Sequence, residues 1–152
     1  KLSYLAMSDC NLPIYSNEIE SSTGIPTPIL QAKNLFSESD AFIIASPEHN
    51  GTMPAAFKNF IDWLSRSTNQ EETIFANKPV LLLSTSPGKR GGNTNLQHLT
   101  KIMTFWGAKI HNTYSIGNYY DNYNDGKFLP RHDQAITQLI KKFTKSLIKK
   151  EP

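Results

Sequence analysis

The chain has 152 residues, 38% of them hydrophobic and 19% charged, a balance that suits one domain able to bury its own core. A net charge of +3 with dispersed lysines excludes a dense nucleic-acid footprint. A lone cysteine, Cys10, excludes an internal disulfide, and no apolar run approaches the ~20 residues of a membrane helix, so the cytoplasm is the expected compartment.

Residues 2–7 are an apolar run of strand length, followed by a turn-rich segment with Asp9, Asn11 and Pro13. Residues 21–27, with Gly24 and Pro26, read as a loop. Between Pro28 and Ser39, the residues Ile29, Leu30, Ala32, Leu35 and Phe36 recur with the helical period. Pro28 falls in the first turn, where a missing N–H costs nothing. "DAFIIAS" then sets five apolar residues, 41–45, between turn formers. That run is too short for a buried helix and reads as a strand covered on both faces, as in a parallel sheet. A stiff loop over residues 47–53 leads to a helix over 54–65. Its apolar stripe is Phe57, Phe60, Ile61 and Leu64, with Trp63 beside it.

After polar residues 67–77, Val80, Leu81, Leu82 and Leu83 make a second continuous apolar strand, breaking at Ser84 to Gly88. Asn93 or Thr94 is placed to cap the next helix, which turns Leu96, Leu99, Ile102, Met103 and Trp106 inward and stops at Gly107. Residues 109–116 alternate in part and read as a strand. "GNYYDNYNDGKF" is a polar aromatic loop ending in an Asp125-Gly126 turn. The last helix covers residues 130–149, with Ile136, Leu139, Ile140, Phe143 and Leu147 on one side. Lys141, Lys142, Lys145, Lys149 and Lys150 form its solvated side.

Strands alternating with amphipathic helices imply a doubly wound parallel sheet in three α/β/α layers. In such sheets ligands bind beyond the carboxyl ends of the strands, at the switch point. Two loops there carry the chemistry, residues 47–53 and 84–92. Neither offers a serine nucleophile in a G-x-S-x-G setting, and His49, His98, His111 and His132 stand apart from any metal spacing. Gly88, Gly91 and Gly92 lack the Lys-Ser/Thr ending of a nucleoside-triphosphate loop. What both loops offer is backbone: Gly and Asn accept positive φ and Pro presets its neighbours, so several N–H and C=O groups can face one flat polar ring. Glu48 and His49 at first suggest an acid and a base, but no catalytic side chain is assigned.

The stretch "SPEHNGTMPAAFKNFIDWLSR" resembles the P-E-Y-N-G-S-x-P-x-x-x-K-N-x-x-D-W-x-S-R signature of the NADPH-dependent FMN reductase family, flavodoxin-like enzymes that include quinone, chromate and azo-dye reductases. "STSPGKRGGNTNLQHLTKIMTFWGAKI" is similar to the family's second segment, and "MSDCNLPIY" to a stretch around its second strand. The resemblance runs in order over essentially the whole chain, residues 1–152, read as one flavodoxin-like domain. It implies FMN as cofactor, with NADPH or NADH as co-substrate and a quinone, free flavin, azo compound or metal oxyanion as acceptor. By the same resemblance Pro47, Glu48, His49, Asn50, Gly51 and Thr52 would wrap the flavin ring, and Ser86, Pro87 and Gly88 would approach its pyrimidine side. It also implies a homodimer or homotetramer, with the helix after Pro54 near the subunit contact. Trp63 and Phe57 would serve either that contact or the core. Lys89 and Arg90 are read as surface charge, with receiving the phosphate of NADPH as their other open role, and no metal, membrane or nucleic acid is expected.

His49 stands where the family has Tyr, and Thr52 where it has Ser. A protonatable ring at position 49 would tune the site. The larger departure is that nothing matches the family's first strand and its G-S-x-R-x-x-S-x-N phosphate loop. An N-terminally incomplete chain is therefore expected, since in the flavodoxin-like order the first strand lies inside the sheet. Two other readings remain open: a flavodoxin-type electron carrier, which the positive charge disfavours, and a non-enzymatic domain that has lost FMN.

Overall fold

A computed structural model of the chain describes residues 1–68 and 73–148. Its sheet has three parallel strands, with β2 (Pro79–Thr85) between β1 (Phe42–Pro47) and β3 (Lys109–Ile116). The central place of β2 follows from its sequence. Val80, Leu81 and Leu82 are all fully buried, and only a strand covered on both faces and paired on both edges can hide such a run.

Parallel neighbours need long crossovers, and helices supply them. α1 (Asn17–Thr23) and α2 (Thr27–Glu38) precede β1, while α3 (Ala55–Ser67) joins β1 to β2 and α4 (Asn93–Phe105) joins β2 to β3. Ile29 and Ala32 of α2, Phe60, Ile61 and Leu64 of α3, and Leu99 and Met103 of α4 share one core with Val80 and Leu82. Trp63 belongs to that core too: it is fully buried, its Nε1 donates to Pro13 O at 2.8 Å, and Tyr15 meets it edge-on at 5.1 Å. Phe57 is likewise buried, so of the two roles open to this pair the core is the one observed. Gly107, at φ 84°, ends α4 as expected, with Ala108 N donating back to Met103 O at 2.8 Å. Among the described residues no helix is long and apolar enough to cross a membrane.

Several expectations are corrected. Residues 2–7 form no strand; a single 3-10 turn, Met7–Asp9, ends them, and Leu2 and Tyr4 are 93% and 87% exposed. An apolar run becomes a strand only where a ladder partner exists, and none of the described residues supplies one. Nor is β1 covered on both faces: Ile43, 41% exposed, shares an uncovered face with Ala45 and Pro47, and among the described residues the strand pairs on one edge only. Residues 21–23 are helix rather than loop, because Ser16 caps α1 by accepting from Ile19 N at 3.2 Å and Gly24 closes it. Neither Asn93 nor Thr94 caps α4; Gly92 holds that place at φ 77°, with no side chain to offer.

Beyond β3 the aromatic loop folds into a short helix, α5 (Tyr119–Asn122), and a hairpin of β4 (Tyr123–Asn124) and β5 (Lys127–Phe128). Asp125 and Gly126 form its turn with φ of 49° and 78°, as the sequence suggests. α6 (Pro130–Ile148) then lays Phe143 beneath β3; Lys149 and Lys150 lie outside the described residues.

At the start of α6, His132 Nδ1 lies 2.9 Å from Tyr114 Oη on β3, while Arg131 Nε donates to His132 Nε2 at 3.2 Å. The ring accepts at Nε2 and is therefore neutral, with its hydrogen on Nδ1. Burial, and then the Arg131 charge, hold its pKa below the ordinary histidine value. The unfolded chain thus binds this proton at a higher pH than the folded one. The stabilisation is complete above the unfolded value near ~6.5 and fades as pH falls through the folded one. Urea midpoints measured from pH 7.5 down to 5.5 should fall, and fall less in His132→Gln; equal slopes in the two proteins would contradict the assignment.

Candidate functional site

β1 and β2 end side by side, with Pro47 paired to Thr85, and the two loops singled out in the sequence leave from these ends. The first extends the ladder by one rung, as Glu48 N donates to Thr85 O at 3.0 Å. It then reverses in two residues. His49 N donates to Thr52 O at 2.8 Å and Thr52 N to His49 O at 3.1 Å, closing a turn over Asn50 (φ 49°) and Gly51 (φ 80°). Positive φ at both central residues is the requirement of a type I′ turn, which Asn-Gly meets at least cost.

The second loop is knitted to the end of β3. Ser86 N donates to Ile116 O at 3.4 Å, Asn118 N to Gly88 O at 3.0 Å and Tyr119 N to Ser86 O at 3.2 Å. Ser86 Oγ accepts from Gly92 N at 3.1 Å, which folds the loop back on itself. A Cβ on Gly91 would overlap Gly117 N and Ser115 Oγ, so only glycine lets the loop lie this close to β3.

These bonds sort the nine predicted residues. All leave from the same edge of the sheet, but they do not offer the same groups. The amides of Glu48, His49, Thr52 and Ser86 are spent on the protein, and Pro47 and Pro87 have none. Among the described residues the backbone N–H groups of Asn50, Gly51, Gly88, Lys89 and Arg90 donate to no protein acceptor. The free donors are thus two at the tip of one loop and three at the tip of the other. Lys89 and Arg90, first read as surface charge, contribute backbone here; both are exposed.

The Glu48 carboxylate is engaged within the protein. Its Oε2 accepts from Asn95 N at 3.0 Å, in the first turn of α4. A carboxylate at a helix N-terminus satisfies an orphan N–H and meets the positive end of the helix dipole. This explains how α4 is capped although Gly92 has no side chain. His49 and Thr52 instead border an open groove of about 500 Å³ with Asn50, Met53, Lys58 and Ile102. His98 Nδ1 lies 3.4 Å from Thr52 Oγ1 there. No group of three metal-ligand side chains comes together among the described residues.

Sequence reasoning missed Asn95 and Ser46 and gave Ser84, within the second loop, no role; all three are polar residues buried where the loops begin. One signal was legible. Asn95 sits four residues before Leu99 on the helix's inward stripe, where an apolar residue is the ordinary choice. Asn118 and Tyr119, which anchor the second loop, were hidden in a segment read only as a polar aromatic loop.

A central β-strand with loops gathered at the carboxyl edge defines a flavodoxin-like α/β domain. Solved structures agree. The flavoenzyme NAD(P)H:(acceptor) oxidoreductase FerB from Paracoccus denitrificans superposes with a TM-score of 0.68 at 22% identity, over 91% of this chain and 74% of that one. The azoreductase AzrA gives 0.53 at 18% identity, over 78% and 72%. The model of the NADPH-dependent FMN reductase family matches residues 1–121, and the chain belongs to that family. A quinone reductase of Escherichia coli is 33% identical over 105 residues, 69% of this chain and 54% of that protein. An NAD(P)H-dependent FMN reductase of Pseudomonas aeruginosa is 31% identical over 94 residues, 62% and 49% of the two chains. The chain spans about half the length of these curated relatives.

The return of the second loop gives a direct check on this geometry. A Cβ on Gly92 would overlap Ser84 Oγ, at a φ of 77° that side chains avoid. Gly92→Ala should therefore lower stability by about 1–3 kcal/mol in urea titrations. An unchanged midpoint would mean that the loop does not pass so close to β2.

Proposed function

We propose that this chain is an FMN-dependent NAD(P)H oxidoreductase whose acceptor is a quinone or another small oxidant, such as free flavin, an azo compound or a metal oxyanion. The observation that carries this reading is the pair of loop tips, with five unclaimed backbone N–H groups, while the one carboxylate of these loops, Glu48, is bonded to α4. That donor set fits a flavin, a flat ring whose edge carries carbonyl oxygens and ring nitrogens. A negatively charged side chain at those tips would oppose the charge that the ring gains on reduction, and Glu48 is turned away into α4.

The chemistry that bound FMN supplies is acceptance of a hydride from a reduced nicotinamide and delivery of electrons to the acceptor. The chain's part is position. The type I′ turn holds the amides of Asn50 and Gly51 in one orientation, and the bonds of Ser86 and Gly88 to residues 118–119 do the same for the second loop. No side chain is needed as general acid or base. NADPH is the preferred donor in this reading, in keeping with the family's description. Quinones lead among the acceptors because relatives carry that activity in their names, including a 2-hydroxy-1,4-benzoquinone reductase of Burkholderia.

A homodimer or homotetramer in the cytoplasm belongs to the same reading. His98, Ile102 and Phe105 share one stripe of α4 beside the groove at His49, and Phe105 is 83% exposed. A second copy seated on that stripe would cover it, which light scattering on the purified chain tests. A monomer at all concentrations would count against the oligomer.

The activity is tested by adding FMN and then NADPH without oxygen. Bound flavin should lose its visible band far faster than free FMN does, and a quinone should restore it. Flavin that binds yet stays oxidised with NADPH would favour the electron-carrier reading, and flavin that never binds would favour the non-enzymatic one. Gly51→Val, which forces a branched side chain into φ 80°, should weaken FMN binding by about tenfold or more.

A further inference from the structure

The side chain of Asn95 is fully buried at the seam between the ends of β1 and β2. Its Nδ2 lies 3.1 Å from Ser46 O, 3.2 Å from Ser46 Oγ, 3.1 Å from Pro47 O and 3.1 Å from Ser84 Oγ. An amide nitrogen carries two hydrogens, so two donors serve four oxygens drawn from both strands. The backbone N–H of the same residue holds Glu48 Oε2 at 3.0 Å. One residue of α4 therefore grips three consecutive residues at the stem of the first loop, and with Ser84 the stem of the second. Ser84 Oγ closes the circuit by donating to Ser46 O at 2.7 Å.

A purely structural need does not account for this choice. Asn95 Oδ1 is buried with no partner, a desolvation cost that an apolar side chain of similar size would avoid. Its neighbours on the inward side of α4, Leu96, Leu99 and Met103, are all apolar. The strands are already joined by their own ladder as far as Pro47 and Thr85. What Asn95 adds is a tie just where the ladder stops and the loops begin.

We propose that Asn95 is a positioning residue that fixes the spacing of the two loop tips, and through it the fit of the flavin ring; the second half of this statement rests on the flavin reading above. Without the amide the ladder persists, but the stems at Ser46, Pro47 and Ser84 are free to move apart. The five unclaimed N–H groups then lose their common geometry. An aspartate at this place has the same shape but, when ionised, faces four oxygens with a negative charge. Once protonated, it can donate again and restore part of the tie.

The test is hydrogen exchange of the backbone amides in the flavin-free chain, paired with FMN titrations followed by flavin fluorescence. Wild type, Asn95→Ala and Asn95→Asp are compared from pH 5.5 to 8. In Asn95→Ala, the hydrogen-bonded loop amides, those of Glu48, His49, Thr52, Ser86, Gly91 and Gly92, should exchange about tenfold faster, while those of β3 and α6 keep their rates, and FMN affinity should fall by a similar factor. Asn95→Asp should show a larger defect that shrinks as pH falls, a pH profile absent from the other two proteins. Should Asn95→Ala fail to fold, Ser84→Ala removes one of the four oxygens and should give the same pattern at smaller size. Unchanged loop exchange, or acceleration spread evenly over β3 and α6, would overturn the proposal. Wild-type protein that binds no FMN would overturn the flavin reading instead, and loop exchange would still decide the role of Asn95.

Discussion

The level ending of three parallel strands is the constraint on which the rest depends. Pro47 stands beside Thr85 and Thr85 beside Ile116, so each strand releases its loop at the same edge. Short loops then suffice to bring residues far apart in the sequence together. Where the ladder stops, backbone oxygens lose their partners, and the apolar strands give way to Ser46 and Ser84. The buried hydroxyl of Ser84 adds a donor to Ser46 O beside the last rungs of the ladder. The polar seam is thus a consequence of ending two strands side by side inside a core.

From that seam the loops spend some backbone groups on the protein and leave others unclaimed. The stem residues are spent on the protein: Glu48 N on Thr85, Ser86 N on Ile116 and Ser86 O on Tyr119. The tips are not. Glycine and asparagine at positive φ make this division possible, because they turn the chain sharply enough for the tip amides to point away from their own stems. The same economy explains Glu48. The N-terminus of α4 needs an acceptor, and the Glu48 carboxylate meets that need across the fold.

Much of this was legible in the residues. The helical stripes at Phe57, Phe60, Ile61 and Leu64, and at Leu96, Leu99 and Met103, face the core as read, and the strand at Val80 is the centre of the sheet. Asn-Gly and Asp-Gly marked both tight turns. The failures share a cause. A strand at residues 2–7 and a two-sided β1 were read from apolar runs alone, but pairing depends on a partner strand that local sequence does not reveal. The cap of α4 was sought next to the helix and comes from a residue 47 positions away. Both loops were found from composition, whereas the division of their amides is a matter of geometry. The family resemblance drew attention to the loop residues themselves and gave Asn95, inside its second segment, no role.

The central claim is that backbone, not side chains, receives the flavin at the two loop tips. Amide NMR spectra of the isotope-labelled chain, recorded as FMN is added, test it most directly. The account predicts that the amide signals of Asn50, Gly51, Gly88, Lys89 and Arg90 move first and furthest, while those of α6 stay in place. Shifts confined to another face of the sheet, or none at saturating FMN, would contradict it.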